Sequence, residues 1–351
     1  MKVGEVPTMQ DVAEQSGLSR FTVSKVLNGS PGVSEATRAR VLRTCEKLNF
    51  VTNQHASSLA KGGPRLMGMV VTSIVDPFYG EIIQTAEQTA SALKFDLAYR
   101  CSYGDAAEER RIARAFLGLK ARALVVSAVS GTENAELWAT LSQSVPIVFI
   151  DHAVVDAQHL VASDHYVGAR LATEHLLARG AVPHYLGSAQ PLSNSAIADR
   201  QRGYVETMTK TGKPVRLVPA AEVGERRDNE RFGFETMQAF LQAGGARDLS
   251  GLACATDAIA LGAMKALERA GIEPGSDVLI TGHDDLPFSP FLKPALTTVR
   301  QPKAWLGRQA VESAARLAEL KSFRRSGKLT LVSPPELVVR ESTLGKARKP
   351  T

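Results

Sequence analysis

From position 66 to about 340, short apolar runs alternate with amphipathic stretches of helical period, and this alternation constrains the fold more than any other feature. The apolar runs are 66–72, 95–100, 123–127, 146–150, 182–187, 215–219, 251–255 and 278–282. The helical patterns between them are 80–93, 108–119, 166–179, 198–210, 232–243 and 258–270. Strands joined through helices lie parallel in sheets covered on both faces, so an α/β body is expected. Roughly 280 residues of this texture exceed what one open sheet ordinarily holds, which predicts two similar α/β lobes with a crossing at 161–164. Thr297-Thr298-Val299-Arg300-Gln301-Pro302, a helix at 305–320 and a strand at 336–340 carry the chain back and forth again. On this reading the first lobe takes 64–162 and 297–325, the second 163–296 and 326–345. Ligands of such sheets bind beyond the carboxyl ends of the strands.

The first fifty residues have a different texture. Thr8-Met9-Gln10-Asp11 is a T-x-x-D start that caps a helix with apolar Met9, Val12 and Ala13, and Gly17 ends it. Ser19 caps a second helix, 20–27, whose Val23, Val26 and Leu27 share one side while Phe21, Lys25 and Asn28 point away. Ser34 caps a third, 35–48, with Val41, Leu42, Cys45 and Leu48 as its buried stripe. Three short helices with a Gly-containing turn have the proportions of a helix-turn-helix, the alternative being a plain three-helix packing module. Segment 51–63 is too poor in apolar residues to pack as a domain. It reads as a hinge that forms one short helix from a cap at Asn53, with Leu59 its one large apolar side chain, and 346–351 reads as a frayed tail.

Charge agrees with a nucleic-acid-binding head: the first 62 residues hold eight Lys/Arg against five Asp/Glu, half of the chain's net +6 in about a sixth of its length. The three cysteines, Cys45, Cys101 and Cys254, form no C-x-x-C pair, as suits a reducing cytosol. The start lacks an apolar stretch behind basic residues, and no charge-free apolar run of about 18 residues occurs, so neither export nor membrane insertion is expected. A cytoplasmic protein follows.

The motifs themselves are more specific. Thr8-Met9-Gln10-Asp11-Val12-Ala13, Gly17-Leu18-Ser19-Arg20, Thr22-Val23-Ser24-Lys25-Val26-Leu27-Asn28-Gly29 and Val33-Ser34-Glu35-Ala36-Thr37-Arg38 are followed by Asp76-Pro77-Phe78-Tyr79, Ile150-Asp151 and Gly168-Ala169-Arg170-Leu171-Ala172. Arg200-Gln201-Arg202-Gly203-Tyr204, Thr256-Asp257-Ala258-Ile259-Ala260, Gly282-His283-Asp284-Asp285 and the block at 296–302 complete the set. Each fragment alone is weak, but the ordered set spans nearly the whole chain and resembles the LacI family of bacterial transcription regulators. The resemblance implies a helix-turn-helix head, a hinge helix and a two-lobed core like periplasmic sugar-binding proteins, in a homodimer or tetramer. It implies a repressor, the family default, that binds double-stranded palindromic operator DNA and answers to a small-molecule effector.

In that frame Arg20, Phe21 and Lys25 take the base-reading positions. Arg20 and Lys25 donate to guanine acceptors, whereas Phe21, where relatives often carry a polar residue, offers only apolar contact to a thymine methyl. Thr22, Ser24 and Asn28 are phosphate contacts, and Leu59 is the hinge leucine wedged into a minor-groove step. The effector cleft is assigned Asp76, Phe78, Tyr79, Ser127, Asp151, His152, Asn194, Arg200, Thr256, Asp284 and Gln301: carboxylates that accept from hydroxyls, a guanidinium fork and an apolar face. Arg200 and Asp284 carry most weight, Arg202 reads as a surface arginine, and Asp257 and Asp285 as helix caps or supports. Three positions depart from the family pattern: Thr256 stands where Asn is common, His283 where Phe or Tyr is usual, and His152 where Arg is frequent.

Enzyme readings lack a signature, since no G-x-G-x-x-G, G-x-x-x-x-G-K, G-x-S-x-G or H-E-x-x-H occurs. No catalytic residue, metal or cofactor is therefore expected. A transport-binding protein would account for 64–345 but not for the head.

Overall fold

The computed structural model describes residues 7–50, 65–188, 194–220, 228–320, 322–325 and 327–345. The chain divides into two compact units, Met1–Pro64 and Arg65–Thr351. The expected hinge, with Leu59, and the expected tail at 346–351 lie outside the described residues.

The first unit holds helices α1 (Met9–Ser16), α2 (Arg20–Leu27) and α3 (Glu35–Leu48). Each begins at a hydroxyl cap: Thr8 and Asp11 form a reciprocal capping box, Ser19 accepts from the Thr22 amide, and Ser34 from that of Thr37. Val12, Ala13, Val23, Val26, Val41 and Cys45 make the core, ringed by Met9, Leu18, Leu27, Val33, Leu48 and Phe50. Leu42 departs from the expected stripe: it is 48% exposed, because so small a bundle needs only one row of α3, the row carrying Val41 and Cys45.

The second unit runs β1 (Leu66–Val71), α4 (Pro77–Ala92), β2 (Asp96–Cys101), α5 (Ala106–Gly118), β3 (Ala123–Val126), α6 (Ala135–Leu141), β4 (Ile147–Ile150), β5 (His159–Ser163), α7 (His165–Ala178), β6 (Pro183–Leu186) and α8 (Ser195–Lys210). It continues through α9 (Asn229–Gln242), β7 (Gly251–Cys254), α10 (Asp257–Arg269), β8 (Leu279–Asp284), β9 (Thr297–Arg300), α11 (Lys303–Glu319), β10 (Leu329–Ser333) and β11 (Glu336–Val338). One sheet has six strands in the order β10-β5-β4-β3-β1-β2, all parallel. The other has five, β11-β9-β8-β7-β6, parallel except for the β11–β9 pair. Both are doubly wound α/β layers, as the alternation predicts.

The lobe boundaries need two corrections. β9 pairs with β8, placing 297–300 in the second lobe, and β10 pairs with β5, placing 329–333 in the first. The chain therefore changes sheets three times: at Asp164, at Gln301-Pro302 and at Pro334-Pro335. The expected strand at 215–219 makes only an isolated bridge, Leu217 to Tyr185, at the β6 edge. The expected crossing at 161–164 is instead mostly strand β5, which ends at Ser163, with Asp164 capping α7. β10 escaped notice because an edge strand with half-exposed residues on both faces lacks a continuous apolar run.

Helix α11 seals the first sheet: Leu306, Ala310, Val311 and Ala314 pack with Ile82 and Ala86 of α4 over Met67, Met69 and Val71. In the second lobe α9 and α10 touch backbone to backbone through glycines. A Cβ at Gly262 would overlap the Glu230 carbonyl oxygen and stand 2.6 Å from the Phe234 nitrogen, and one at Gly233 would overlap the Ile259 carbonyl.

Candidate functional site

Parallel strands end on one side of each sheet, and the carboxyl ends of β4 and β8 place Asp151 and Asp284 where the two lobes meet. Asp151, Asp284 and Asp285 hold φ angles of 75°, 109° and 47°. A non-glycine residue there costs on the order of 1–3 kcal/mol, so its surroundings must over-determine it. They do: Lys303 Nζ donates to the Asp284 carbonyl at 2.6 Å and to that of Asp285 at 2.9 Å, while Arg300 and Arg340 each donate at 2.7 Å to the Asp285 carboxylate.

Arg200, projecting from α8 and 4% exposed, is the centre of the network. Its Nη1 donates to the Ala255 carbonyl at 2.7 Å and its Nη2 to Asp284 Oδ1 at 3.2 Å. Asp284 Oδ1 also accepts from Gln301 Nε2 at 2.6 Å and faces His283 Nδ1 at 3.0 Å. On the other side, Arg200 Nη2 lies 3.4 Å from His165 Nδ1, and His165 Nε2 is 2.8 Å from the Asp151 carbonyl oxygen and 3.3 Å from Asp151 Oδ1. An unbroken polar chain thus runs from the end of β4 to the end of β8. Burial works against both carboxylates, yet both stay ionised more readily than a free one: His165 and Arg200 hold Asp151 down, and Arg200 and His283 hold Asp284 down.

The structure unites Asp151, Arg200, Asp284 and Gln301 of the expected cleft residues in this network, with buried His152 next to Asp151. Tyr79 and Ser127 form a second, separate group, in which the Tyr79 hydroxyl bonds Thr72 and Ser127, each at 2.9 Å, edge-on to Phe78. Asp76, Asn194 and Thr256 use their side chains to cap α4, α8 and α10. Asp76 nevertheless senses the site: burial, reinforced by the charges of Asp284, Glu230 and Asp151, pushes its carboxyl up to about 6. Arg202 is at the surface, paired with Asp199 at 2.8 Å.

Asp257 supports the cleft from beneath, accepting from the Leu286 amide at 2.8 Å, Ser289 Oγ at 2.6 Å and the Thr298 hydroxyl. Burial, with the charge of Asp284 adding, raises its carboxyl to about 7. Two participants were missed from sequence, His165 and Lys303. The available signal was adjacency, since His165 follows the helix-capping Asp164 and Lys303 follows Gln301-Pro302.

His283 yields a pH prediction. Burial, with Arg200 close by, lowers its imidazole to about 3 in the folded chain, against roughly 6.5 for a free histidine. The folded form therefore resists protonation, so the stability this residue contributes is complete above pH 6.5 and is lost as pH falls towards 3. His283→Asn keeps a donor at the Nδ1 position without titrating. Urea unfolding between pH 7 and 4 is expected to show a shallower stability loss in this variant, by at most about 1.4 kcal/mol per pH unit. Parallel wild-type and variant profiles would exclude the effect.

In the head, α2 presents its N-terminal end outward. Arg20 is exposed, Phe21 is 70% exposed, and Lys25 Nζ sits 5.0 Å from the centroid of the Phe21 ring, a cation–π contact that steadies the ammonium. Thr22 bonds Ser19 at 2.9 Å and Asn28 bonds Ser24 at 3.2 Å. The solvent-facing row is therefore Arg20 and Phe21, with Lys25 half-buried one turn on. If Lys25 reads a base, Lys25→Ala costs about 1–3 kcal/mol on specific DNA and relaxes sequence preference. Equal losses on specific and random duplexes would reassign Lys25 to the phosphates.

Comparison with known proteins gives the following. Residues 8–53 match the family described as bacterial regulatory proteins, lacI family, and residues 173–343 a periplasmic binding protein-like domain. The chain is 33% identical over 339 residues to the HTH-type transcriptional regulator GalR of Escherichia coli K12, covering 95% of each chain. It is 30% identical over 343 residues to the ribose operon repressor of Halalkalibacterium halodurans, covering 96% of this chain and 97% of the relative. Among solved structures, the lac repressor dimer bound to operator and the anti-inducer ONPF superposes with a TM-score of 0.81 at 25% identity, covering 97% and 100% of the two chains.

Proposed function

The chain belongs to the lacI family of bacterial regulatory proteins, and from that premise we propose that it is a DNA-binding repressor whose operator affinity is set by a neutral, hydroxyl-rich effector, a sugar or sugar derivative, held between the two lobes. The observation that carries this reading is the polar lining of the cleft. Arg200 Nε and Gln301 Oε1 are buried there without a hydrogen bond of their own, and Asp151 Oδ1 has only the contact of His165 Nε2 at 3.3 Å. Buried polar atoms are ordinarily satisfied, so unpaired donors and acceptors clustered at strand ends are what a ligand rich in hydroxyls would engage. Three carboxylates, Asp76, Asp151 and Asp284, face two cations, Arg200 and Lys303, a balance that disfavours an anionic ligand and leaves the flanking imidazoles His152 and His283, both lowered by burial, as neutral partners.

In this reading Arg20, Phe21 and Lys25 read bases, Thr22, Ser24 and Asn28 grip phosphates, and Leu59 is the hinge wedge. The partners are a palindromic operator and a second copy of the chain. Among the described residues no helix is long and apolar enough to cross a membrane, and a cytoplasmic location suits a DNA-bound regulator.

A thermal-shift panel of aldoses, sugar acids and nucleobases tests the ligand class, because a ligand that binds only the native state raises its stability. An aldose is expected to raise the midpoint of the wild type, and Asp151→Asn to lose that shift. A panel in which only sugar acids or nucleobases act would overturn the sugar assignment.

A further inference from the structure

The two contacts that sequence reading missed are mirror images of each other. His165, the first residue of α7 in the second lobe, reaches the carbonyl of Asp151 at the end of first-lobe strand β4, at 2.8 Å. Lys303, the first residue of α11 in the first lobe, reaches the carbonyls of Asp284 and Asp285 at the end of second-lobe strand β8, at 2.6 and 2.9 Å. Both are buried, at 4% and 5% exposure, and each targets a residue with positive φ. Both also sit just after a crossing between the sheets, where a small rotation of one lobe moves the side chain along with the helix that carries it.

We propose that His165 and Lys303 form a reciprocal clasp, two positioning residues that together set how closely the lobes approach and so tune the response of the cleft. This rests on the proposed function only in naming what the clasp regulates; the clasp itself is a property of the two lobes. Its chemistry is complementary on both sides. Because Arg200 Nη2 can only donate, His165 Nδ1 accepts from it at 3.4 Å, which leaves the proton on Nε2 to be donated to Asp151. The groups facing His165 are Asp151 and His152 from the β4 end, Arg200 from α8, and His283 and Asp284 from β8. Lys303 brings three N–H donors to two carbonyls, with Glu81 of α4 at 3.9 Å. Leu286, just beyond the β8 end, inserts into the first lobe's core at 1% exposure, so the two strand ends cannot separate without exposing apolar surface.

The structure supplies a reporter that neither residue touches. The amide of Ala153, in the first lobe, donates across the cleft to Ser195 Oγ of the second at 2.9 Å. Hydrogen exchange at Ala153 in the full chain therefore reads cleft opening. Lys303→Met is expected to speed it on the order of tenfold, the effect of losing a charged hydrogen bond on a local opening equilibrium, with Lys303→Arg restoring part of the protection. His165→Phe is expected to do the same at Ala153 and also at the amides of 285–286, on the far side of the clasp. If each substitution loosened only the segment whose carbonyl it had contacted, leaving Ala153 unchanged, the two would be independent struts and the clasp would be refuted. A folding failure would show as faster exchange throughout β1 and β7, and the milder Lys303→Gln and His165→Asn would then decide by the same criterion. Finding the coupled exchange in a chain that answers to no sugar would retain the clasp and dismiss the effector reading.

Discussion

Replacing Arg200 by alanine is expected to abolish the effect of a cleft ligand on operator binding while leaving ligand-free operator affinity nearly unchanged. The guanidinium is the hub through which Asp284 and His165 are joined, and its Nε is the donor still free for a ligand. A ligand alters the lobe equilibrium only through contacts that differ between the two arrangements, and Arg200, itself on the second lobe, reaches the first through His165 and its contact with Asp151. The head builds its own core from Val12, Val23, Val26 and Val41, none of which enters this network. Removing one partner of a buried ion pair typically costs about 3–5 kcal/mol, because the other is left uncompensated. Here Gln301 and His283 still solvate Asp284, so a loss at the lower end of that range is expected. Operator binding by fluorescence anisotropy, with and without the sugar found by the panel and well below the variant's melting midpoint, checks the functional half. A variant that still responds at the same ligand concentration would mean that Arg202 is the donor or that the cleft lies elsewhere.

Gly262→Ala is expected to be among the most destabilising single-methyl additions in the chain. The new Cβ would meet the Glu230 carbonyl oxygen and the Phe234 amide nitrogen, both backbone atoms of α9, so no side chain can swing aside. Helices α9 and α10 would have to part along the whole contact, exceeding the about 1–3 kcal/mol of ordinary overpacking. In a domain of this size each kcal/mol lowers the melting midpoint by roughly 2–4 °C. Gly233→Ala strains the same seam against the Ile259 carbonyl. Once one substitution has spread the helices the second finds room, so the double variant is expected to cost less than the sum of the singles in urea unfolding. A single-variant cost below about 1 kcal/mol would show that the seam is looser than its geometry implies.

The head was legible almost residue by residue, because its helix boundaries are written in local chemistry: Thr8, Ser19 and Ser34 as caps, Gly17 as the stop. The strands of the body were legible because parallel strands buried on both faces are continuous apolar runs. What sequence could not show was the sheet to which a strand belongs. Thr297-Thr298-Val299-Arg300 and the helix after it are separated by only two residues, yet they lie in different lobes. Arg200 and Asp284 came from family resemblance, and the structure joins them. His165 and Lys303 act through contacts across the cleft, which no local spacing encodes.

The three passages of the chain between the lobes also govern how the protein is made. The first lobe's sheet is complete through β5 by residue 163, but α11, which covers Met67, Met69 and Val71, and β10, which covers the β5 edge, are not synthesised until residues 303–333. At about 5–20 residues per second the ribosome takes roughly 8 to 30 seconds to supply them. During that interval the nascent chain carries an open apolar sheet face and an unpaired strand edge, both of which attract other chains. Strong overexpression places many such half-covered sheets side by side. Slower translation or trigger-type chaperones that shield apolar segments are expected to raise its soluble yield more than additives that act on the finished fold.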